Sequence, residues 1–449
     1  MPLSGNANNG SAPGGAANLR SPSRLRLAMR SLRHRNFRLF FSGQLISLIG
    51  TWMQNIAQAW LVYRLTGSSL LLGVVGFASQ IPVFVLAPLG GTVADRYNRH
   101  RIVIGTQTAS MVLAFILAAL TLSRVVQVWH IMVLAALLGV VNAFDIPARQ
   151  AFIVEMVGKD DLMNAIALNS SMFNGARIIG PAIAGVLVAT IGEGWCFFAN
   201  GVSYIAVIVG LLLMQVAQVR RVLESSPLEH IIEGFRFVQR TMPIRDLLLL
   251  LGLVSLVGMP YSVLMPIFAD KILHSGARGL GILMGATGVG ALIGALMLAA
   301  KAGIRGLGRW VAVSTAAFGI TLILFSYSHS FWLSALVLVP VGMSMMVEMA
   351  ASNTLIQAMV PDDLRGRVMA VYSMMFMGMA PLGALFAGGL ADRLGAPLTL
   401  SIGAVACLAG AAVFWRRLPA LRVEARQLII AQAAAGGEPA EQTTARSIS

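Results

Sequence analysis

Apolar residues run in long stretches closed by charges or by Gly, Pro and Asn, and a helix that crosses a bilayer needs ~20 such residues. Twelve runs predict twelve helices, near 38–63, 69–92, 102–122, 129–156, 163–190, 195–216, 246–269, 279–300, 309–327, 331–358, 367–391 and 397–415. One long polar stretch, 217–245, separates the sixth from the seventh. Its Leu228, Ile231, Ile232, Phe235 and Val238 recur at helical spacing, which predicts an amphipathic helix lying on the membrane surface. Residues 1–37, rich first in Gly, Ala, Asn and Ser and then in Arg, show no cleavable apolar segment, and they and 416–449 read as disordered cytosolic tails. The expected order is therefore a tail over 1–37, a six-helix bundle over 38–216, a linker over 217–245, a second six-helix bundle over 246–415, and a tail over 416–449.

The two bundles repeat one another at an offset near 203. ARQAFIVEMV at 148–157 aligns with ASNTLIQAMV at 351–360, Asp160-Asp161-Leu162 with Asp362-Asp363-Leu364, Pro181 with Pro381 and Gly91 with Gly294. Six helices fit within the offset, so both halves start on the same side and the repeats are parallel. The fold class predicted is an all-α membrane protein with twelve transmembrane helices in two parallel-repeat bundles around a central cavity, an architecture used by secondary transporters.

Composition narrows the function. Hydrophobic residues make up 57% of the 449 and charged ones only 11%, about half the usual charged share; this excludes a soluble enzyme and a disulfide scaffold. The net charge of +15 would suit nucleic acid only if gathered on one folded face, and here the basic residues sit in short segments between apolar runs. Lysine occurs at Lys159, Lys271 and Lys301, none before Ser or Thr, so no phosphate-binding loop exists and no nucleotide or other cofactor is expected. Cys196 and Cys407 lie inside apolar runs and read as small core residues. Of the 33 Lys and Arg, 27 fall on the side of the tails and 5 on the other, with Arg177 inside the fifth helix. The bias places both termini in the cytosol.

Between the second and third helices, Gly91-Thr-Val-Ala-Asp95-Arg96-Tyr-Asn-Arg99-His-Arg101 resembles the signature loop of the major facilitator superfamily. Gly175, Gly180, Pro181 and Gly185 in the fifth helix resemble the Gly-Pro motif of its antiporter branches. SLRHRNFRLFFSGQLISLIGTWMQNIAQAWLVYRLTGSS and FDIPARQAFIVEMV are similar to the bacterial branch that includes enterobactin-type siderophore exporters. The resemblance covers about 31–418. It implies alternating access, export, and a cytosolic gate of Gly91, Asp95, Arg96 and Arg99 that latches the halves while the cavity opens outward; alternatively the arginines, Arg101 included, only set topology. Gly91 would let a neighbouring helix backbone approach closely. Three positions depart from the family pattern: Asn98 replaces a Gly in the loop, Ala135 replaces a buried Arg in the fourth helix, and Leu298 stands where the second half would repeat Asp95.

Asp145, Arg177 and Glu348 are the ionisable residues expected deep within helices, where a charge is costly unless paired or wetted. Asp145 and Glu348 are 203 apart, hence equivalent, and either carries coupling or substrate contact or is a satisfied structural acid. Asp145 and Arg177 are placed to pair, and Asp145 could instead cap a kink at Pro147. Gln54 and Gln58, four apart on the first helix with Asn55 and Gln44 nearby, either line the cavity or bond between helices. Among the 24 Met, Met343, Met345, Met346, Met349, Met374, Met375, Met377 and Met379 crowd the tenth and eleventh helices, as core or as an adaptable cavity lining. Gly281, Gly285, Gly288, Ala291 and Gly294 form a packing stripe, and Gly180-Pro181 and Pro381 are expected pivots. The function expected is proton-coupled efflux of a small amphipathic molecule, siderophore or drug-like, across the bacterial inner membrane, with no enzymatic activity and no metal. A lysophospholipid flippase, a nutrient importer and a non-transporting membrane sensor are the alternatives.

Overall fold

The computed structural model describes residues 29–158, 161–215, 227–301 and 303–435, and all regular structure among them is helical. We number thirteen helices: α1 Arg35–Thr66, α2 Ser69–Arg96, α3 Arg99–Leu122, α4 Val128–Val157, α5 Leu162–Thr190, α6 Glu193–Leu212, α7 Pro227–Arg240, α8 Met242–Ile272, α9 Gly276–Ala299, α10 Leu307–Ser326, α11 Phe331–Met359, α12 Asp362–Leu394 and α13 Ala396–Ala435. Eleven of them are long and apolar enough to cross a membrane. The twelfth long helix, α1, has 32 residues but carries Gln44, Gln54, Asn55 and Gln58 along its length, which dilutes its apolar content. Large apolar side chains such as Leu336, Phe386, Leu333 and Val405 point outward, as expected where the solvent is lipid.

Within the first six helices α1 packs on α5 and α6, α2 on α4, and α3 on α4 and α6. Within the last six, α9 packs on α11, and α10 on α11 and α13. The two groups meet mainly where α2 crosses α12 and α5 crosses α9. Gly73 lies against Ala384 and Gly388, and Gly185 against Gly281; only glycine lets the helix axes come this close. The ends carrying residues 35 and 435 are called the near end below.

Several boundaries differ from the sequence expectation for identifiable reasons. Residues 29–37, expected in a disordered tail, form a short 3₁₀ turn over Arg30–Arg33 followed by α1. They are held by Asp161, whose carboxylate lies 2.7 Å from Arg30 Nε, 2.9 Å from an Arg33 nitrogen and 2.7 Å from His34 Nε2. The His34 hydrogen bond first, then the two guanidinium charges, hold that carboxyl below its ordinary range. A depressed carboxylate contributes stability at neutral pH that is lost progressively as pH falls from its unfolded-state value through its lower folded-state value. Residues 416–435, expected in the other tail, continue α13: Leu418 and Leu421 are buried, and Arg417 reaches Asp246 at 3.1 Å. Residues 1–28 and 436–449 of those tails lie outside the described residues.

The helix expected within 217–245 is α7. Gly234 abuts the Arg367 backbone, Arg367 pairs with Glu233 at 2.7 Å, and Val238 is buried while Phe235 is exposed. So one face of α7 docks on α12. The expected contributions of Leu228, Ile231 and Ile232 lie outside the described side chains. Both cysteines are free and buried.

Candidate functional site

The loop between α2 and α3 is built around one guanidinium. Arg99, 7% exposed, donates from Nε to Ala94 O at 2.9 Å, from Nη2 to Asp95 Oδ1 at 2.9 Å and from Nη1 to Glu155 Oε1 at 3.1 Å. It thereby ties the end of α2, the start of α3 and the end of α4. Asn98 is the N-cap of α3, its side chain accepting from Arg101 N at 3.2 Å; the departure from Gly thus supplies a cap. Arg96 and Arg101 are exposed. The partners of Arg99 all lie within the first group of helices. A Cβ on Gly91 would meet nothing within 4 Å, whereas one on Gly90 would collide with the Ala143 carbonyl. The close approach of α2 to α4 therefore runs through Gly90.

The buried acids differ in their surroundings. Asp145, 3% exposed and about 18 Å along α4 from its near end, accepts from Thr106 Oγ1 at 2.8 Å and Gln107 Nε2 at 2.9 Å and pairs with Arg149 Nε at 3.2 Å. The expected Asp145–Arg177 pair is not formed. Arg149 sits one turn away on the same helix and completes the carboxylate before a neighbouring helix can. Nor does Asp145 cap a break, since α4 continues through Pro147. Glu348, 2% exposed and about 16 Å along α11 from its near end, has a single weak contact, the Ser352 hydroxyl donating at 3.5 Å. Among the described residues no cation lies within salt-bridge distance of it.

Arg177 instead lies over the Trp52 ring at 5.8 Å, close enough to Tyr261 of α8 for its charge to act on that hydroxyl. Trp52 in turn meets Phe173 edge-on at 5.6 Å. This cluster bridges α1, α5 and α8, about 22 Å from the near end of α5. Gln54 belongs elsewhere: it is buried and accepts from Asn200 Nδ2 of α6 at 2.7 Å, so it joins two helices within one group and does not line the cavity. Gln44 is likewise buried, while Asn55 is exposed and Gln58 intermediate. Met345 is core and Met377 is exposed. Gly180 presses on Trp52 and Ile49 of α1, and α5 and α12 run on through Pro181 and Pro381.

Some contacts were not foreseen. The hydrogen bonds joining the two groups of helices at the far end are Tyr63 hydroxyl to Asp270 Oδ2 at 2.9 Å, Ser68 to Asp392 at 3.5 Å and Lys271 to Gly67 O at 3.5 Å. Arg64 and Glu193 pair there at 2.7 Å. The α8 helix contains two π turns, Val254–Gly258 and Phe268–Ile272, on either side of the stretch with Pro260 and Pro266. Such turns concentrate at functional sites, and the two prolines were their only trace in the sequence.

A family model described as transmembrane secretion effector matches residues 27–437. The chain belongs to this family of major facilitator superfamily transporters. It is 28% identical over 382 residues to the staphyloferrin A transporter of Staphylococcus aureus, covering 84% of this chain and 94% of that one. It is 25% identical over 364 residues to the enterobactin exporter EntS of Shigella boydii, covering 80% and 85%. The structure of a bacterial homologue of the iron transporter ferroportin in its inward-facing state is similar with a TM-score of 0.65 at 16% identity, covering 85% of this chain and 98% of the other. The resemblance to siderophore exporters read from the sequence is thus borne out, and the chain is a multi-pass membrane transporter, not an enzyme.

Proposed function

We propose that this transporter exports a small amphipathic molecule, siderophore or drug-like and bearing an anionic group, in exchange for protons by alternating access. In this reading twelve helices, α1–α6 and α8–α13, span the bacterial inner membrane as two parallel repeats, and the near end with both termini is cytosolic. The 27-to-5 basic asymmetry supports the orientation, and the recurrence of the α2–α4 and α3–α6 packing as α9–α11 and α10–α13 supports the repeat.

The observation that carries the proposal is where the halves touch. Among the described residues their hydrogen bonds cluster at the far end, while at the near end the bonds of Arg99 itself go to Ala94, Asp95 and Glu155 of its own half. This supports reading the molecule as a carrier open at the near end, the cytosolic end in this proposal, with its gate unlatched. Arg177 at the apex of such a cavity has no carboxylate among its described partners. An intramembrane cation without a protein anion suits an anionic substrate group, with Trp52 and Phe173 beside it for the apolar part.

The test is transport by the purified chain in liposomes under an imposed pH gradient, across a panel of carboxylate and catecholate siderophores, drugs and lysolipids. Gradient-dependent movement of a siderophore or drug supports the reading; movement of lysolipids alone would replace it with the flippase reading. Asp95→Asn should abolish transport while leaving membrane insertion intact, because Asp95 must exchange partners as the gate latches. Transport by this variant at the normal rate would reduce the charges to topology signals. A reporter that folds only outside the cytosol, fused to Ser449, should stay silent, and a signal would reverse the orientation.

A further inference from the structure

A cavity of about 740 Å³ lies at the near end of the second half, apart from the gate, the buried acids and Arg177. Its rim carries Arg305, Arg309, Arg422 and Arg426, and no acidic residue lines it among the described residues. Arg309 and Arg422 are close enough for their like charges to act on each other. The floor is apolar: Leu247 of α8, Leu355 and Met359 of α11, Phe414 and Leu418 of α13. A volume in the ordinary range of small-ligand pockets therefore combines a cationic mouth with a greasy base.

Its position sets the ligand. Counted from the far end of α13 at Ala396, Phe414 lies about 27 Å along the helix and Arg422 about 39 Å. With a hydrocarbon core of ~30 Å, the floor reaches the edge of the acyl region and the rim stands at headgroup depth. Leu418, Leu421, Arg422, Ala425, Arg426 and Ile429 recur at spacings of three and four, so one face of the α13 extension supplies both floor and rim. The Arg417–Asp246 pair pins that extension to the start of α8, which keeps the cavity walls together.

We propose that this cavity binds an anionic glycerophospholipid of the cytosolic leaflet, its phosphate held by Arg309, Arg422 and Arg426 and the start of an acyl chain lying on Leu355, Phe414 and Leu418. A soluble phosphate would leave the apolar floor unused. The site does not depend on which molecule the transporter carries. It rests on the near end being cytosolic, which the reporter fused to Ser449 tests separately.

The experiment uses the full chain released from detergent in a native mass spectrometer, with phosphatidylglycerol and phosphatidylcholine offered in equal amounts. The wild type should retain phosphatidylglycerol selectively. The triple variant Arg309→Gln, Arg422→Gln, Arg426→Gln should bind it on the order of a hundredfold more weakly, as expected for three arginines near a lipid phosphate. A control triple variant, Arg38→Gln, Arg236→Gln, Arg240→Gln, should behave as wild type. Equal retention by both triple variants overturns the site, and so does displacement of the lipid by millimolar glycerol phosphate, which would mark a soluble anion as the ligand. Residues 436–449 follow α13 directly and carry Glu438 and Glu441. If deletion of 436–449 creates phosphatidylglycerol binding that the full chain lacks, the occupant is that segment and the lipid proposal fails. A melting transition of the triple variant equal to wild type in phosphatidylcholine shows that it is folded, so its loss of binding can be read.

Discussion

Glu348→Gln is expected to erase accumulation driven by a pH gradient while leaving substrate exchange across the membrane close to wild type. For a carrier that exchanges one proton per substrate, each unit of pH gradient is worth about 1.4 kcal/mol, or a tenfold concentration ratio. The Gln variant should bring that ratio to one. The two equivalent acids differ in their partners. Asp145 is committed to Arg149, Thr106 and Gln107, whereas Glu348 is buried with one hydroxyl at 3.5 Å. A carboxyl without a cation can take a proton when the site faces one side and lose it when it faces the other, and its amide cannot. Proton-driven transport by the variant at the wild-type rate would sink this assignment. Equal loss of driven transport and of exchange would make Glu348 a substrate contact instead.

The second large effect falls on the other acid and appears as folding. Asp145→Asn leaves Arg149, three-quarters buried, with no carboxylate, and removing one partner of a buried pair costs about 3–5 kcal/mol at full burial, somewhat less at this partly wetted site. Folded yield in the membrane should fall severalfold. The double variant Asp145→Asn, Arg149→Gln should recover most of it, because both charges then leave together. Fluorescence-detected size exclusion of the two variants checks this directly. If the double variant is as poor as the single one, Asp145 acts through Thr106 and Gln107 and not through the ion pair.

The equivalence of Asp145 and Glu348 was visible in the 203-residue offset, but their difference was not. The obvious cation for Asp145 was Arg177, because depth along the helices places the two near each other. The actual partner is Arg149, which follows Asp145 by one helical turn. Similarly, Gln54 and Gln58 share a helix face by spacing, yet spacing does not say whether α6 or the cavity lies opposite. Asn200 answered that.

By itself the sequence determined the apolar helices, the long linker helix, the absence of a nucleotide loop, the superfamily and its siderophore-exporter branch. Those follow from local composition, since lipid demands continuous apolar helices and family motifs are short and contiguous. The Arg30–Arg33–His34 knot on Asp161, the extension of α13 to Ala435, the close packing of Gly90 on α4 and the π turns of α8 were decided by tertiary structure. Each depends on a partner more than a hundred residues away or on which side of a helix a neighbour lies. Hydropathy averages over all sides of a helix, and only packing distinguishes them.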